Sequence, residues 1–153
     1  MDKIAVIDLG GQYCHLLARR IRQLNVYSEI KPAETIIEEL NDCSGIILSG
    51  GPASVYENDS PQSDKKLFTL NVPILGLCYG HHLMAHHLGG KVKQGKTKEY
   101  GFAKLRVLDR AEIFKGLKKE EQVWMSHGDE VVELPPGFKT IGSTDDCRIA
   151  AMG

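Results

Sequence analysis

A cysteine stands where a buried strand is predicted to meet a helix. The apolar run Val72 to Leu77 ends in "CYGHH", and Gly76 and Gly80 lie two residues to either side of Cys78. Small neighbours let a strand turn directly into a helix, which pushes the intervening side chain out of the sheet as a nucleophile elbow. The helix N-terminus then favours the thiolate form. The motif alone is equally compatible with a buried core cysteine packed between glycines.

A thiolate in this position points to attack on a carbonyl carbon, which gives a thioester or a related adduct. The backbone N–H of Tyr79 is aimed at the oxygen that becomes negatively charged. A second donor could come from Gly50 or Gly51, because the stretch "SGGP" ends another predicted strand at the same edge of the sheet.

The histidines offer no evident base. His82 and His86 are four residues apart and could share a metal ion on one helix face, but no HExxH pattern or suitably spaced acid accompanies them, and no metal is predicted. His81 is too close to Cys78 in sequence to fold back easily as its base.

Polar residues interrupt an apolar strand in "WMSHGDEV". The run Ser126, His127, Gly128 and Asp129 has the composition of a loop that contacts a substrate. It also has the composition of a plain β-turn, for which Gly-Asp is suitable material, and the residues alone favour the turn by a small margin.

These residues need a scaffold of alternating strands and helices. In 12–25, Leu16, Leu17, Ile21 and Leu24 have helical spacing, with arginines on the other face. Near-continuous apolar strands that alternate with helices predict a parallel sheet covered on both faces. Strands are predicted at 3–10, 26–30, 44–52 and 72–77, and helices at 12–25, 32–40, 63–71 and 81–90.

The second half has a different pattern and predicts an antiparallel extension. Short turns separate its apolar segments, and Pro135 and Pro136 mark a loop. Strands are predicted at 100–108, 121–127, 138–145 and 147–153, with a helical turn at 110–116.

Composition sets the broad class. The chain has 153 residues, the size of one domain, with 42% hydrophobic and 25% charged residues. Nineteen basic and 20 acidic residues leave a formal charge of −1, so neither nucleic acid nor a membrane is predicted as a partner. With no signal-peptide pattern at the start, a cytoplasmic location is expected. The three other cysteines are expected to be structural thiols: Cys14, Cys43 and Cys147.

Several stretches together resemble the class I glutamine amidotransferases. "ILSGGP", "PILGLCYGHH" and "WMSHGDEV" occur in that family's order, and "DLGGQY" and "KEYG" (98–101) add to the match. Within the family, "SHGDE" and "EYG" are similar to the amidotransferase domain or subunit of GMP synthetases. The resemblance covers nearly the whole chain, residues 1–153, as one amidotransferase domain. It implies a flavodoxin-like three-layer α/β sandwich with a mostly parallel central sheet.

The resemblance also implies roles for individual residues. Cys78 would attack the side-chain amide of glutamine and release ammonia, and the N–H groups of Gly51 and Tyr79 would hold the oxyanion. The glycine turn at Gly50 would contact the substrate. Ser126, His127, Gly128 and Asp129 would line the glutamine pocket, largely through the backbone.

The ammonia would pass to an ATP-pyrophosphatase domain or subunit, where xanthosine monophosphate becomes GMP. No cofactor is expected in this domain, and ATP and Mg²⁺ are expected in the partner.

Two departures from the family pattern stand out. His82 occupies a position where the family has a substrate-binding glutamine, so its effect on glutamine binding is open. The family's catalytic His and Glu lie in a His-Pro-Glu segment, and no "HPE" occurs in this chain, which ends at Gly153. We therefore expect a fragment whose sheet lacks a strand.

Two alternatives follow. One is a catalytically incomplete fragment or a non-catalytic, partner-binding module of the same fold. The other is a different elbow-cysteine enzyme, such as a stress-type hydrolase or deglycase, although these often have histidine where this chain has Tyr79, and "SHGDEV" would be unexplained.

Overall fold

The chain folds into two compact units. The computed structural model describes residues 2–110 and 112–153, with the backbone alone at residues 96–99 and 112. The units are Met1–Met84 and Ala85–Gly153, and each contains a four-stranded sheet. Among the described residues, neither α-helix has the length and apolar character that crossing a membrane requires.

The first unit is built on a parallel sheet. Its central strands are almost continuous apolar runs, and Ala5, Val6 and Ile7 are at most 1% exposed. All adjacent strands are parallel, as predicted from this pattern. The strands are β1 (Lys3–Asp8), β2 (Tyr27–Pro32), β3 (Gly45–Leu48) and β4 (Ile74–Gly76), in the spatial order β2-β1-β3-β4.

Helix α1 (Cys14–Gln23) packs its inner face on β1. The predicted face is half right: Leu17 and Ile21 face inward as expected, whereas Leu16 and Leu24 are 45% and 76% exposed. Positions spaced by three and four residues lie one above the other on a helix. The side chains on the face that includes Cys14 pack against Val6 of β1. The inward positions are Cys14, Leu17, Ala18 and Ile21.

The helix predicted over 32–40 is wrong in extent, since only a 3₁₀ turn forms, at Ile37–Leu40. Pro32 belongs to β2, and its carbonyl oxygen accepts hydrogen bonds from both the N–H (3.1 Å) and the Oγ1 (2.7 Å) of Thr35. The β-branched residues that follow disfavour a helix, and Ile36 is extended, with φ −73° and ψ 149°. The predicted helix 63–71 is likewise a short 3₁₀ segment, Lys65–Thr69.

Helix α2 (Tyr79–His87) follows β4 and starts two residues earlier than predicted. It ends at the glycine pair that the sequence indicates. Gly89 has φ +95°, and the N–H of Gly90 donates to the carbonyl oxygen of Ala85 at 2.8 Å, which satisfies one of the last helical carbonyls.

The second unit is antiparallel, as predicted. It contains a long hairpin of β5 (Lys91–Val107) and β6 (Glu120–Glu133), followed by β7 (Thr140–Ser143) and β8 (Ala151–Met152), in the order β6-β5-β7-β8. The predicted α/β class, a parallel sheet followed by an antiparallel extension, is confirmed. The helical turn predicted at 110–116 contains a 3₁₀ segment, Glu112–Phe114, and residue 111 lies outside the described part of the chain.

The hairpin starts earlier than the sequence predicts. Residues 91–99 are rich in lysine, which is poor strand material on its own. On the neighbouring strand, Glu130 lies opposite Lys93, and Glu133 forms an ion pair with Lys91. Opposite charges across the ladder therefore support this part of the strand.

The hairpin exposes three aromatic side chains, which we call the aromatic face: Tyr100, Phe102 and Trp124. They are 68%, 75% and 67% exposed, respectively. Phe102 and Trp124 lie directly opposite each other, with ring centroids 4.9 Å apart and ring planes at 81°. This is the edge-to-face geometry that aromatic pairs prefer.

Candidate active site

Cys78 occupies a strained turn between β4 and α2. Its φ is +50°, in the left-handed region that costs a non-glycine residue about 1–2 kcal/mol, and it is exposed, as an elbow thiol must be. Hydrogen bonds hold the turn in place. The N–H of Gly80 lies 2.9 Å from the carbonyl oxygen of Leu77 and 3.1 Å from that of Ser49, and the N–H of His82 donates to Cys78 O at 3.1 Å. The predicted strand-to-helix elbow is confirmed.

The glycines beside the thiol are required by close backbone contacts. A Cβ atom added at Gly80 would lie 2.3 Å from the carbonyl oxygen of Leu48, and one added at Gly76 would lie 2.5 Å from the carbonyl oxygen of Gly80. Real Cβ contacts are essentially never this short. The G-x-C-x-G spacing therefore reflects backbone segments that pass too close for any side chain.

The turn after β3 runs beside the elbow. A Cβ at Gly50 would be 3.5 Å from Cβ of Cys78, and one at Gly51 would be 3.6 Å from Cβ of Tyr79 and 2.3 Å from the carbonyl oxygen of Leu9. Tyr79 opens α2, so its N–H is among those that have no acceptor within the helix. The structure thus brings together Cys78 and the two backbone segments predicted to bind an oxyanion.

Ser49 links the two central strands under this turn, and the sequence analysis missed it. The residue is 1% exposed. Its Oγ accepts a hydrogen bond from the N–H of Leu9 (2.9 Å) and donates one to the carbonyl oxygen of Gly50 (3.1 Å). A Cβ at Gly11 would also lie 2.3 Å from that carbonyl oxygen. The sequence did contain a signal for this role, because Ser49 is a polar residue at the end of an apolar strand, immediately before "GGP".

His82 lies on the first turn of α2 after Cys78 and is 7% exposed. Its ring centroid is 5.6 Å from that of His81, with the planes tilted by 38°. In the described parts of the chain, no three His, Cys, Asp or Glu residues are grouped as metal ligands.

The other three cysteines are structural, as expected. Cys14, Cys43 and Cys147 are all buried, whereas Cys78 is exposed. Burial is the main cause that raises the pKa of the Cys14 thiol, with the nearby Asp8 charge in second place. Burial likewise raises the pKa of Cys43. A raised pKa disfavours thiolate, so neither residue resembles a nucleophile.

Ser126, His127, Gly128 and Asp129 lie within β6, so the predicted β-turn is wrong. The pairing register between β5 and β6 shifts at this point. Gln94 pairs with Asp129 and Glu99 with His127, so residues 95–98 of β5 lie opposite Gly128 alone. Such a bulge lets polar residues sit in a strand without ending it.

Within this segment, Nδ1 of His127 lies 2.8 Å from the carbonyl oxygen of Asp129, a distance at which an Nδ1–H donates. Asp129 itself is 8% exposed. The side chains of Lys98 and Glu99, in the "KEYG" stretch, lie outside the described residues.

The predicted site residues are thus divided between the two units. Cys78, Gly50, Gly51, Tyr79 and His82 belong to the first unit, and Ser126 to Asp129 belong to the second.

Comparison with known protein families gives one consistent result. The family model for "Glutamine amidotransferase class-I" matches residues 5–153. The GMP synthase [glutamine-hydrolyzing] of Syntrophomonas wolfei is 48% identical over 153 residues, which cover 99% of this chain and 30% of that protein. The enzyme of the same name from Aquifex aeolicus is 48% identical over 151 residues, again 30% of its length. The chain therefore spans less than a third of these curated relatives.

Solved structures agree with the sequence relatives. A protein from Thermoplasma acidophilum, assigned as one subunit of a GMP synthase, superposes with a TM-score of 0.93 and 37% identity, over 100% of this chain and 78% of that one. A glutamine amidotransferase from Thermotoga maritima superposes with a TM-score of 0.81 over 99% of this chain and 71% of that one, at 20% identity. The second match supports the fold alone.

Proposed function

The chain belongs to the class-I glutamine amidotransferase family, and from this premise we propose that it forms the glutamine-hydrolysing site of a GMP synthase. The support for that enzyme is the group of GMP synthase relatives, at 48% identity, together with the solved Thermoplasma structure, at 37% identity. Because the chain spans about 30% of those relatives, the proposal assigns the synthetase reaction to a separate domain or subunit.

The observation that carries the chemical part of the proposal is the left-handed backbone at Cys78, φ +50°, beside the turn Gly50–Gly51. Strained residues of this kind cluster at functional sites, because only the surrounding structure holds them in place. Nothing in packing requires an exposed thiol at a strained position, whereas a nucleophile requires both the exposure and the fixed direction.

In the proposed reaction, the sulfur of Cys78 attacks the amide carbon of the glutamine side chain. A C–S bond forms, and the carbonyl electron pair moves to oxygen, where the N–H groups of Gly51 and Tyr79 stabilise the charge. When the oxyanion collapses, the C–N bond breaks and the nitrogen leaves as ammonia with the proton of the thiol. Water then hydrolyses the thioester, which releases glutamate and restores the thiol.

The remaining sites are part of the same proposal. His82 offers a hydrogen bond to the substrate where the family has glutamine, and its position one turn after Cys78 supports that role. Gly50 and the segment Ser126 to Asp129 contact glutamine, largely through the backbone. The partner is an ATP-pyrophosphatase that uses ATP and Mg²⁺ to convert xanthosine monophosphate to GMP, and the location is the cytoplasm.

The test combines labelling with turnover. The chain is mixed with the ATP-pyrophosphatase part of a GMP synthase, ATP, Mg²⁺ and xanthosine monophosphate. Ammonia release from glutamine is then measured for the wild type, Cys78→Ser and Cys43→Ala. We expect Cys78→Ser to lose at least about 10³-fold in rate, as removal of a nucleophile does, and Cys43→Ala to retain the wild-type rate.

A glutamine analogue that carries an electrophile provides the second measurement. Mass spectrometry should locate its adduct at Cys78. An adduct at another cysteine would contradict the catalytic assignment. Wild-type ammonia release no faster than that of Cys78→Ser would favour a non-catalytic, partner-binding module.

A further inference from the structure

The side chain of Tyr79 makes a contact that its proposed backbone role does not need. Any residue except proline would provide the N–H for an oxyanion. Yet Tyr79 is 0% exposed, and its hydroxyl donates to the carbonyl oxygen of Pro61 at 2.6 Å, 18 residues earlier in the chain. A buried hydroxyl must find a partner, but phenylalanine would fill the same space without that requirement.

The segment that this bond reaches is the loop 51–61, which contains no helix or strand. It is held internally by local turns. The N–H of Glu57 donates to Ser54 O at 3.0 Å, and the N–H of Ser60 donates to Glu57 O at 3.2 Å, with the Ser60 hydroxyl on the same oxygen at 2.8 Å. These bonds fix the shape of the turns but not the position of the loop against the elbow.

Tyr79 lies near both ends of the loop 51–61 and forms a hydrogen bond to one of them. At the near end, a Cβ added at Gly51 would be 3.6 Å from Cβ of Tyr79, an ordinary van der Waals distance, so the two residues are neighbours. At the far end stands the hydroxyl bond to Pro61. Burial raises the pKa of the Tyr79 phenol, so it stays a neutral donor near neutral pH. The Tyr79 hydroxyl thus ties the start of α2 to the far end of the loop, while Gly51, at the near end, is a neighbour of the same residue.

We propose that Tyr79 is a positioning residue whose hydroxyl, through Pro61, fixes the loop 51–61 and thereby holds the N–H of Gly51 in place for the oxyanion. The inference rests on the proposed function, since it concerns the same site. Loss of an oxyanion donor costs about 10²–10³-fold in kcat. A donor that is displaced but still present should cost less, about tenfold.

The test is Tyr79→Phe, which keeps the ring and removes only the hydroxyl. Three measurements are made with the partner present: steady-state kinetics of glutamine hydrolysis, affinity for an aldehyde analogue, and the rate of thiol alkylation. We expect kcat for glutamine hydrolysis to fall about tenfold with KM changed less than about twofold, because the oxyanion exists only after attack. An aldehyde analogue of glutamine, whose carbonyl oxygen becomes negatively charged when the thiolate adds to its carbon, should bind about tenfold more weakly.

The third measurement, the alkylation rate, distinguishes a displaced oxyanion donor from a displaced thiol. Alkylation of Cys78 by iodoacetamide displaces iodide from carbon and needs no oxyanion site, so its rate should be unchanged in Tyr79→Phe. Thermal unfolding of each variant is recorded alongside. The matched control is Tyr56→Phe, in the same loop but 51% exposed, which should leave all three measurements at wild-type values.

Wild-type kcat and aldehyde affinity in Tyr79→Phe would overturn the inference while leaving the proposed function intact. A parallel fall in the alkylation rate would also overturn it, because the thiol itself would then have moved. If the wild type releases no ammonia above the Cys78→Ser level, the proposed function is the part that fails.

Discussion

Glycine serves different purposes at the elbow around Cys78 and at the turn around Gly116. In the first unit, a Cβ at Gly51 or Gly80 would lie 2.3 Å from a carbonyl oxygen, so these glycines exist because backbones touch. In the second unit, a Cβ at Gly116 would meet nothing within 4 Å, and this glycine serves a turn with φ +87°. The difference shows that Gly51 and Gly80 cannot accept one added carbon, whereas the turn at Gly116 is limited only by its backbone conformation.

Aromatic side chains show the same contrast. Tyr79 in the first unit is 0% exposed and fastened by its hydroxyl, whereas the three residues of the aromatic face in the second unit are each at least 67% exposed. The geometry around Tyr79 is therefore expected to be sensitive to small substitutions. The hairpin of the second unit should tolerate large ones.

The largest effect is expected from Gly80→Ala. The added methyl group would overlap the Leu48 carbonyl, so the helix or the strand must move, and we expect a loss of at least about 3 kcal/mol in the free energy of unfolding. Gly116→Ala is the matched control and should lose about 1 kcal/mol through backbone strain alone. Urea unfolding measures both, and equal losses would contradict the contrast between the elbow and the turn.

A smaller loss is expected from Ser49→Ala. Removal of the hydroxyl leaves the buried N–H of Leu9 without its acceptor, which should cost about 2 kcal/mol. Ser143→Ala, at a half-buried position in β7, should stay within about 0.5 kcal/mol of the wild type. If the two variants unfolded at the same urea concentration, the hydrogen bonds of Ser49 between the ends of β1 and β3 would make no measurable contribution to stability.

A gain in stability is expected from Cys78→Gly. Glycine adopts φ +50° without steric cost, so the variant should be about 1 kcal/mol more stable than the wild type, although its glutaminase activity should be lost. Asn25→Gly is the control, at φ +61°. Asparagine tolerates that conformation, so the gain there should be only a few tenths of a kcal/mol. Calorimetric unfolding distinguishes them, and a destabilised Cys78→Gly would contradict strain at the elbow.

The smallest effect is expected on the aromatic face. A double-mutant cycle of Phe102→Ala and Trp124→Ala should give a coupling energy of about 0.5 kcal/mol, the low end for an edge-to-face pair, because both rings are largely in water. Chemical denaturation of the four proteins provides the measurement. A coupling above about 2 kcal/mol would show that the pair is part of a core after all.

The parallel sheet and the elbow could be read from the sequence for a simple physical reason. Apolar runs that end in glycine, such as "GIILSGG" and "PILGLCYG", contain both the buried strand and the close contact that terminates it. The residues that determine these features are adjacent in sequence, and a short, continuously apolar run is typical of a parallel strand buried on both faces. The glycines around Cys78 therefore indicated the turn before its geometry was known.

The errors arose where distant partners decide the structure. The helix predicted over 32–40 was lost in part to the pairing of β2 with the distant β1; the two bonds from Thr35 to the Pro32 carbonyl are local and reinforce the turn that follows β2. The segment at Gly128 lies within β6, opposite residues 95–98 of β5, and its own residues do not show that this partner strand is there. The hydroxyl bond of Tyr79 could not be predicted either, since its acceptor is a main-chain oxygen, which leaves no trace in residue identity.

The bonds and contacts around Cys78 have a consequence for the order of folding events. The turn that strains this residue is held from the ends of β1 and β3, tens of residues earlier, through Leu9, Ser49 and Gly50. Contacts between residues so far apart in sequence form late in folding, because the entropy of closing a long loop is lost before the contacts contribute any stability. The geometry proposed to expose and orient the Cys78 thiol is therefore absent from a nascent chain until the ends of β1, β3 and β4 have come together.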